Sequence, residues 1–232
     1  LYNNIQSGMV SSASFEDVGN CRFDKQYYPP LCGENPVCNT CTFSKNMIIS
    51  SPNKSGKTTI LKSTVINLIF SQQFGYGFYK SAFVNPYTHI HSYINIPDTS
   101  GRDSLFQAES RRCKEILDII HDTDCDTRHF CIFDELYSGT NPVEASNAGN
   151  AFIQYLQQYN NVNFILTTHY TSICKKYKNH KRVQNYKMDV IIDKNDNYTY
   201  TYKLKKGISN IKGARRVLKD LNYPEQIIQK MQ

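Results

Sequence analysis

The sequence predicts an α/β domain with a mostly parallel sheet flanked by helices on both faces. Three observations predict it. Four short apolar runs look like buried strands: NMIIS (residues 46–50), FCIFD (130–134), NFILTT (163–168) and MDVIID (188–193). Segments with helical periodicity lie between and beyond them, at 56–71, 104–122, 143–158 and 224–231. The first run passes through a loop of small and polar residues, SPNKSGKTTI (51–60), straight into the first of these helices. Alternating strands and helices imply crossover connections, which place helices on both faces of a parallel sheet.

In chain order, the first 45 residues contain YYPPLCGENPVCNTC (27–41), rich in Pro, Cys and Asn, and read as an irregular lead-in. They begin with Leu1 and carry no basic start or apolar core of signal-peptide type, so the chain is expected to be part of a longer protein whose upstream region ends here. The main α/β unit is expected over 46–206. It closes with NDNYTYTYKLKKG (195–207), a turn followed by an alternating strand that reads as an antiparallel edge. Residues 207–232 are expected to form a small helical unit.

Composition narrows the function classes. The longest apolar run, TVINLIF (64–70), is interrupted by Asn67 and is far shorter than a membrane span. Eight cysteines without a secretory signal read as reduced thiols, so a soluble protein of cytoplasm or nucleus is expected, with no membrane partner. Charge is uneven: residues 175–232 hold 15 Lys and Arg against 5 Asp and Glu, whereas residues 1–174 hold 12 against 15. That asymmetry fits either a surface for a polyanion or a solvated basic face.

The loop nearly spells G-x-x-x-x-G-K-[ST], a pattern that cradles phosphates when it joins a strand to a helix. Gly56 lets the backbone approach the anion, successive N–H groups at the helix N-terminus point at it, and Lys57 supplies a point charge. Thr58 would place its hydroxyl on Mg²⁺. Ser51 stands where the first glycine is expected.

Two further positions belong on the same rim. Asp134 and Glu135 follow the second apolar run: the first can hold Mg²⁺ and the second can polarise an attacking water. His169 follows the third run. In an open α/β sheet ligands bind at the carboxyl ends of strands, which brings Ser51, Asp134 and His169 to one side.

Together these residues resemble the ATPase domain of the MutS family of DNA mismatch repair proteins, a P-loop nucleoside triphosphate hydrolase fold. SPNKSGKTT is similar to that family's phosphate loop, with Pro52 and Asn53 matching and Ser51 departing. IFDELYSGT resembles its second nucleotide motif, running into Gly139 and Thr140, and TTHY resembles its Thr-His-Tyr switch. SGRDSLFQAESRRCKEIL resembles the segment that completes a neighbouring subunit's site, with Ser104, Phe106 and Glu109 as the matching pieces. Ser138 stands where many members have arginine, and Lys187 where a histidine near the base often lies, so a divergent branch is implied.

The resemblance implies ATP and Mg²⁺ as cofactors. Ser51, Pro52, Asn53, Lys54, Ser55, Gly56, Lys57, Thr58 and Thr59 would bind the nucleotide, with Val37 near the adenine and Ser104 reaching the γ-phosphate across a dimer. Thr58 and Asp134 would organise the metal, Glu135 would act as general base, and Lys57, Asn53 and His169 would complete the catalytic shell. It further implies a homo- or heterodimer of MutS-like subunits that couples nucleotide state to mismatched DNA through the full-length protein. Two other readings stay open: a nucleotide-binding switch that does not hydrolyse, and a zinc-stapled DNA-binding module on Cys21, Cys32, Cys38 and Cys41.

Overall fold

The computed structural model describes Gln6 and residues 8–97, 104–194, 197–211 and 213–230. In chain order its strands are β1 (Ser11–Phe15), β2 (Arg22–Gln26), β3 (Asn39–Thr42), β4 (Asn46–Ser50), β5 (Tyr76–Gly77), β6 (Ser81–Val84), β7 (His89–Tyr93), β8 (His129–Asp134), β9 (Val162–Thr168), β10 (Val183–Ile192) and β11 (Tyr198–Lys206). Its α-helices are α1 (Lys57–Phe74), α2 (Leu105–His121), α3 (Pro142–Leu156), α4 (Thr171–Lys176), α5 (Gly213–Asp220) and α6 (Glu225–Gln229).

Six strands form the larger sheet, in the order β11-β10-β4-β9-β8-β7. Every neighbouring pair from β10 to β7 is parallel, and β11 alone runs antiparallel, on β10. β4 lies in the interior of this sheet, so all five of its residues are buried. Its register sets Ser50 beside Thr168, and the register of the next pair sets Asp134 beside Thr167. The carboxyl ends of β4, β8 and β9 therefore form one rim.

Side chains of the sheet alternate between two cores, as period-2 geometry requires. Ile48, Cys131, Phe133, Phe164 and Leu166 face one core, covered by Cys113, Ile116 and Ile120 of α2, Phe152, Ile153 and Leu156 of α3, and Ile173 of α4. Met47, Ile49, Phe130, Ile132 and Ile165 face the other, with Ile60, Leu61 and Leu68 of α1.

A second sheet covers the far side of α1, and it corrects the expectation of an irregular lead-in over residues 1–45. β1, β2 and β3 join β5 and β6 in the order β3-β2-β6-β1-β5. Phe23, Cys41 and Val84 of this sheet are buried in the same core as Ile60 and Leu61. Polar pins add to the apolar contact: Gln26 Nε2 donates to Thr64 Oγ1 at 2.7 Å, and the amide of Asn67 links Tyr27 O (3.2 Å) to Phe78 N (2.7 Å). Asn67, which breaks the apolar run, is fully buried because both its donor and its acceptor are matched. The stretch 29–38 of the lead-in does lack strands, with one short 3₁₀ turn at Pro29–Leu31.

Other differences are smaller. β10 starts at Val183, five residues before the predicted run, because its first half alternates buried and half-buried residues instead of forming an apolar block. β7, at the sheet edge, reads HIHSY and gave no apolar run. Residues 207–232 hold α5 and α6. No helix among the described residues is long and apolar enough to cross a membrane.

Candidate functional site

The loop between β4 and α1 closes on the ammonium of Lys57. Lys57 Nζ donates to Ser51 O at 2.9 Å, to Pro52 O at 3.3 Å and to Asn53 Oδ1 at 3.3 Å. Ser55 Oγ braces the same turn by donating to Pro52 O at 2.7 Å. The left-handed positions are Lys54 (φ 64°) and Gly56 (φ 96°); Ser51 is not among the described residues with positive φ. A serine therefore replaces the first glycine here without backbone strain. A Cβ on Gly56 would lie 3.2 Å from the ring of Tyr202, so side chain and φ both favour glycine there.

Three charged side chains meet beside the loop. Thr58 Oγ1 donates to Asp134 Oδ2 at 2.8 Å, and the Thr167 hydroxyl donates to Asp134 Oδ1. Glu135 Oε1 lies 3.4 Å from Lys57 Nζ and 3.4 Å from His169 Nδ1. The hydrogen bond from His169, then the charge of Lys57, holds the Glu135 carboxyl below its ordinary range, although burial opposes this. Burial pulls the Lys57 ammonium down while Glu135 opposes it. Glu135 itself sits at φ 55°, with its N–H tied to Thr167 O at 3.0 Å, so the chain turns sharply where β8 ends.

Behind this group, a buried carboxylate fixes the Ser-Gly-Thr turn. Glu109 of α2, 2% exposed, accepts from Ser138 N (2.9 Å) and Ser138 Oγ (2.8 Å) on one oxygen and from Gly139 N (3.0 Å) on the other. A Cβ on Gly139 would lie 2.6 Å from Phe106 N, which explains a glycine under the first turn of α2. Ser104 caps that helix, accepting from Gln107 N at 3.3 Å while its own N–H donates to Gln107 Oε1 at 2.8 Å. It is exposed and stands outside the cleft lining of its own chain.

The cavities divide the predicted set. A cleft of about 530 Å³ is lined by Asn53, Lys54, Gly56, Lys57, Thr58, Thr59, Asp134 and Glu135, with Glu109 and Ser138. An adjoining, more apolar cavity of about 280 Å³ shares Gly56, Thr59 and Tyr202 with it and reaches Tyr28, Pro36, Val37 and Met188. Ser51, Pro52 and His169 line a third hollow of about 580 Å³, on the other side of the loop against α5. Asn53 and Lys54 line both sides. Lys187 lines none of these three hollows.

Tyr93, Asn95, Ile96, Leu105 and Tyr202 complete the main cleft and were not singled out from sequence. Tyr202 arrives at an irregularity in the antiparallel β10–β11 pairing, where its φ is 56°, and Tyr93 through pairing of an edge strand, signals that no local pattern carries.

The four cysteines of the zinc reading do not converge. Cys21 Sγ donates to Asn85 O, Thr64 Oγ1 lies against Cys41 Sγ, Cys38 Sγ donates to Pro36 O, and Cys32 packs on Met9. Among the described residues, no group of three or more His, Cys, Asp or Glu side chains is arranged to hold a metal.

A family model described as MutS domain V matches residues 47–232. The DNA mismatch repair protein MutS of Persephonella marina is 26% identical over 207 residues, covering 89% of this chain and 23% of that protein. The endonuclease MutS2 of Staphylococcus epidermidis is 26% identical over 226 residues, covering 94% of this chain and 27% of the relative. The endonuclease MutS2 of Staphylococcus aureus is 27% identical over 225 residues, covering 93% and 30% respectively. The chain thus spans between 23% and 30% of the length of these relatives. With four-fifths of its residues inside the match, the chain belongs to the MutS domain V family.

Proposed function

We propose that this chain is an ATP-binding and hydrolysing domain of P-loop class, whose nucleotide state is coupled to mismatched DNA binding in a dimer of MutS-like subunits. One observation carries the reading: the paired contacts Thr58–Asp134 and Lys57–Glu135–His169 converge on a single strand-to-helix loop.

The residues fit the ligands. Thr58 Oγ1 and Asp134 Oδ2 are hard oxygen donors 2.8 Å apart, the donor type Mg²⁺ takes. The polar cleft and the apolar cavity joined at Gly56 match a triphosphate and a base, with Val37, Pro36, Met188 and Tyr202 against the base. When bound, Mg²⁺ neutralises charge on the phosphates.

The chain's own groups do the rest by position and charge. Lys57, now held by loop carbonyls, turns its ammonium to the phosphates. Glu135 orients water and takes its proton, and His169 orients Glu135. Asn53 holds the loop's polar edge, while Ser51, Pro52, Lys54 and Ser55 shape it. Ser104 acts in trans on a partner's nucleotide, and α5 and α6 belong to the dimer contact. The DNA part of the reading is supported by the names of the relatives.

Fluorescent-nucleotide binding and phosphate release test it. Lys57→Ala should lose nucleotide binding, and Glu135→Ala should keep binding and lose turnover. Undiminished hydrolysis by Glu135→Ala would sink the assignment, and nucleotide binding without turnover in the native dimer would establish the non-hydrolysing switch instead.

A further inference from the structure

At the amino ends of the parallel strands, opposite the phosphate loop, lie two clefts whose lining contains no acidic residue. One, of about 340 Å³, is lined by Lys45, Arg128, Lys181 and Arg182 together with asparagines such as Asn46 and Asn163. The other, of about 520 Å³, holds Lys45, Lys175, Lys178 and His180. Lys45 lines both, so the clefts adjoin along one basic track. β4 separates the Arg128 cleft from the loop by about 15 Å, the rise of five residues, whereas the Lys175 cleft runs back toward the loop, sharing Lys175 and Asn210 with the hollow beside Ser51 and His169.

Three of these cations, Lys45, Arg128 and Arg182, are held in place without counter-charge. Arg128 Nη1 donates to Asn85 O at 2.6 Å and Pro86 O at 3.1 Å, and its guanidinium stacks 4.5 Å over the ring of Tyr87. Arg182 Nη2 donates to Tyr159 O at 2.7 Å and its Nη1 to Gln157 O; Lys45 Nζ donates to His180 O at 3.3 Å. Among the described residues none of Lys45, Arg128, Lys178, Lys181 or Arg182 makes an ion pair. Carbonyls orient the half-buried guanidinium groups but leave their charge uncancelled, so the track keeps a positive potential. Buried Tyr177 fixes the segment KKYKNHKR (175–182) by donating to Asn150 O at 3.3 Å, while Lys175, Lys176, Lys178 and Lys181 stay exposed.

We infer that this track binds the phosphodiester backbone of nucleic acid. Cations along adjoining clefts, with neutral asparagine amides between them and no acidic residue in the lining, suit an evenly charged strand. The inference deepens the DNA-binding part of the reading above by assigning a contact to this domain's own residues, and it does not require hydrolysis.

The test is anisotropy of a labelled DNA duplex of about 20 base pairs against the chain over a salt series. Lys178→Glu/Lys181→Glu should weaken binding at least about tenfold and flatten the log–log salt slope by about 2, since each lost phosphate contact removes about one unit. Lys178→Gln/Lys181→Gln should weaken binding less while flattening the slope by a similar amount, with an unchanged thermal midpoint and nucleotide affinity. Equal affinity and slope in both variants would overturn the inference. So would loss of duplex binding in Lys57→Ala, which would move the DNA to the phosphate loop, or displacement of the duplex by polyglutamate at matched charge. ATP turnover read on the same samples keeps failure here separate from failure of the nucleotide reading.

Discussion

The hydroxyl of Thr58, in the first turn of α1, donates to Oδ2 of Asp134, at the end of β8, at 2.8 Å. The two residues are 76 positions apart, and the contact exists only because β4 and β8 flank β9 with their carboxyl ends level. Asp134 is therefore already oriented toward the loop by two hydroxyls, Thr58 and Thr167.

Replacing that carboxylate separates metal from nucleotide. Asp134→Asn keeps the shape and loses the charge. Nucleotide affinity measured by titration calorimetry should rise at least about tenfold on adding Mg²⁺ to the native chain and should be insensitive to Mg²⁺ in the variant. A metal-dependent gain that survives in Asp134→Asn would remove Asp134 from the metal's shell.

Glu109 governs stability through the turn that follows Glu135. Its two oxygens accept three hydrogen bonds from Ser138 and Gly139 in a buried setting. In Glu109→Gln the amide NH₂ must face an N–H donor, leaving two buried donors opposed. Urea unfolding should show a loss of about 2–3 kcal/mol, and the fluorescent-nucleotide affinity should weaken with it as the turn beneath the cleft shifts.

The histidine stack on β7 and β8 sets an acid limit. His91 Nε2 and His129 Nδ1 are 3.0 Å apart, and the rings of His89 and His129 stack at 5.0 Å. Burial first, then the charges of His129 and His89, pushes His91 down to about 4 from 6.5. Burial pushes His129 down as well. As pH falls below 6.5 the unfolded chain takes a proton that folded His91 refuses until about 4, so stability is lost across that window. The shift corresponds to at most about 3 kcal/mol. The urea midpoint should therefore drop between about pH 7 and about pH 5, and by less in His91→Gln.

Much of the large sheet was legible because its interior strands carry unbroken apolar runs at their centres, Met47–Ile49, Phe130–Phe133 and Phe164–Leu166: β4, β8 and β9 sit within a residue of their predicted bounds. The small sheet was not, since SSASF, RFDKQ and NTCT are short and polar, the first two pair across long separations with residues 76–84, and among the described residues NTCT pairs only with RFDKQ. At the site, the motifs named Lys57, Thr58, Asp134 and Glu135, which do meet. They placed His169 on the same rim, and its contact with Glu135 keeps it there, yet the loop itself stands between His169 and the main cleft. Ser51 departs from the pattern at a glycine position, but the left-handed turn of the loop falls on Lys54, three residues on, so the departure needs no glycine backbone.

The family match begins at residue 47, one position into β4. The core under α1 nonetheless takes Cys21, Phe23, Cys41 and Phe43 from before that boundary and sets them against Met47, Ile49, Ile60 and Leu61. The span of the family model and the body that collapses as one core thus have different borders, and the relatives, which align over 89–94% of the chain, run upstream of residue 47 as well. A gene trimmed to residues 47–232 would strip α1 of one flank and leave the apolar side chains that faced that flank to water. Anyone cutting this protein for expression should cut upstream of Ser11, not at the family's edge.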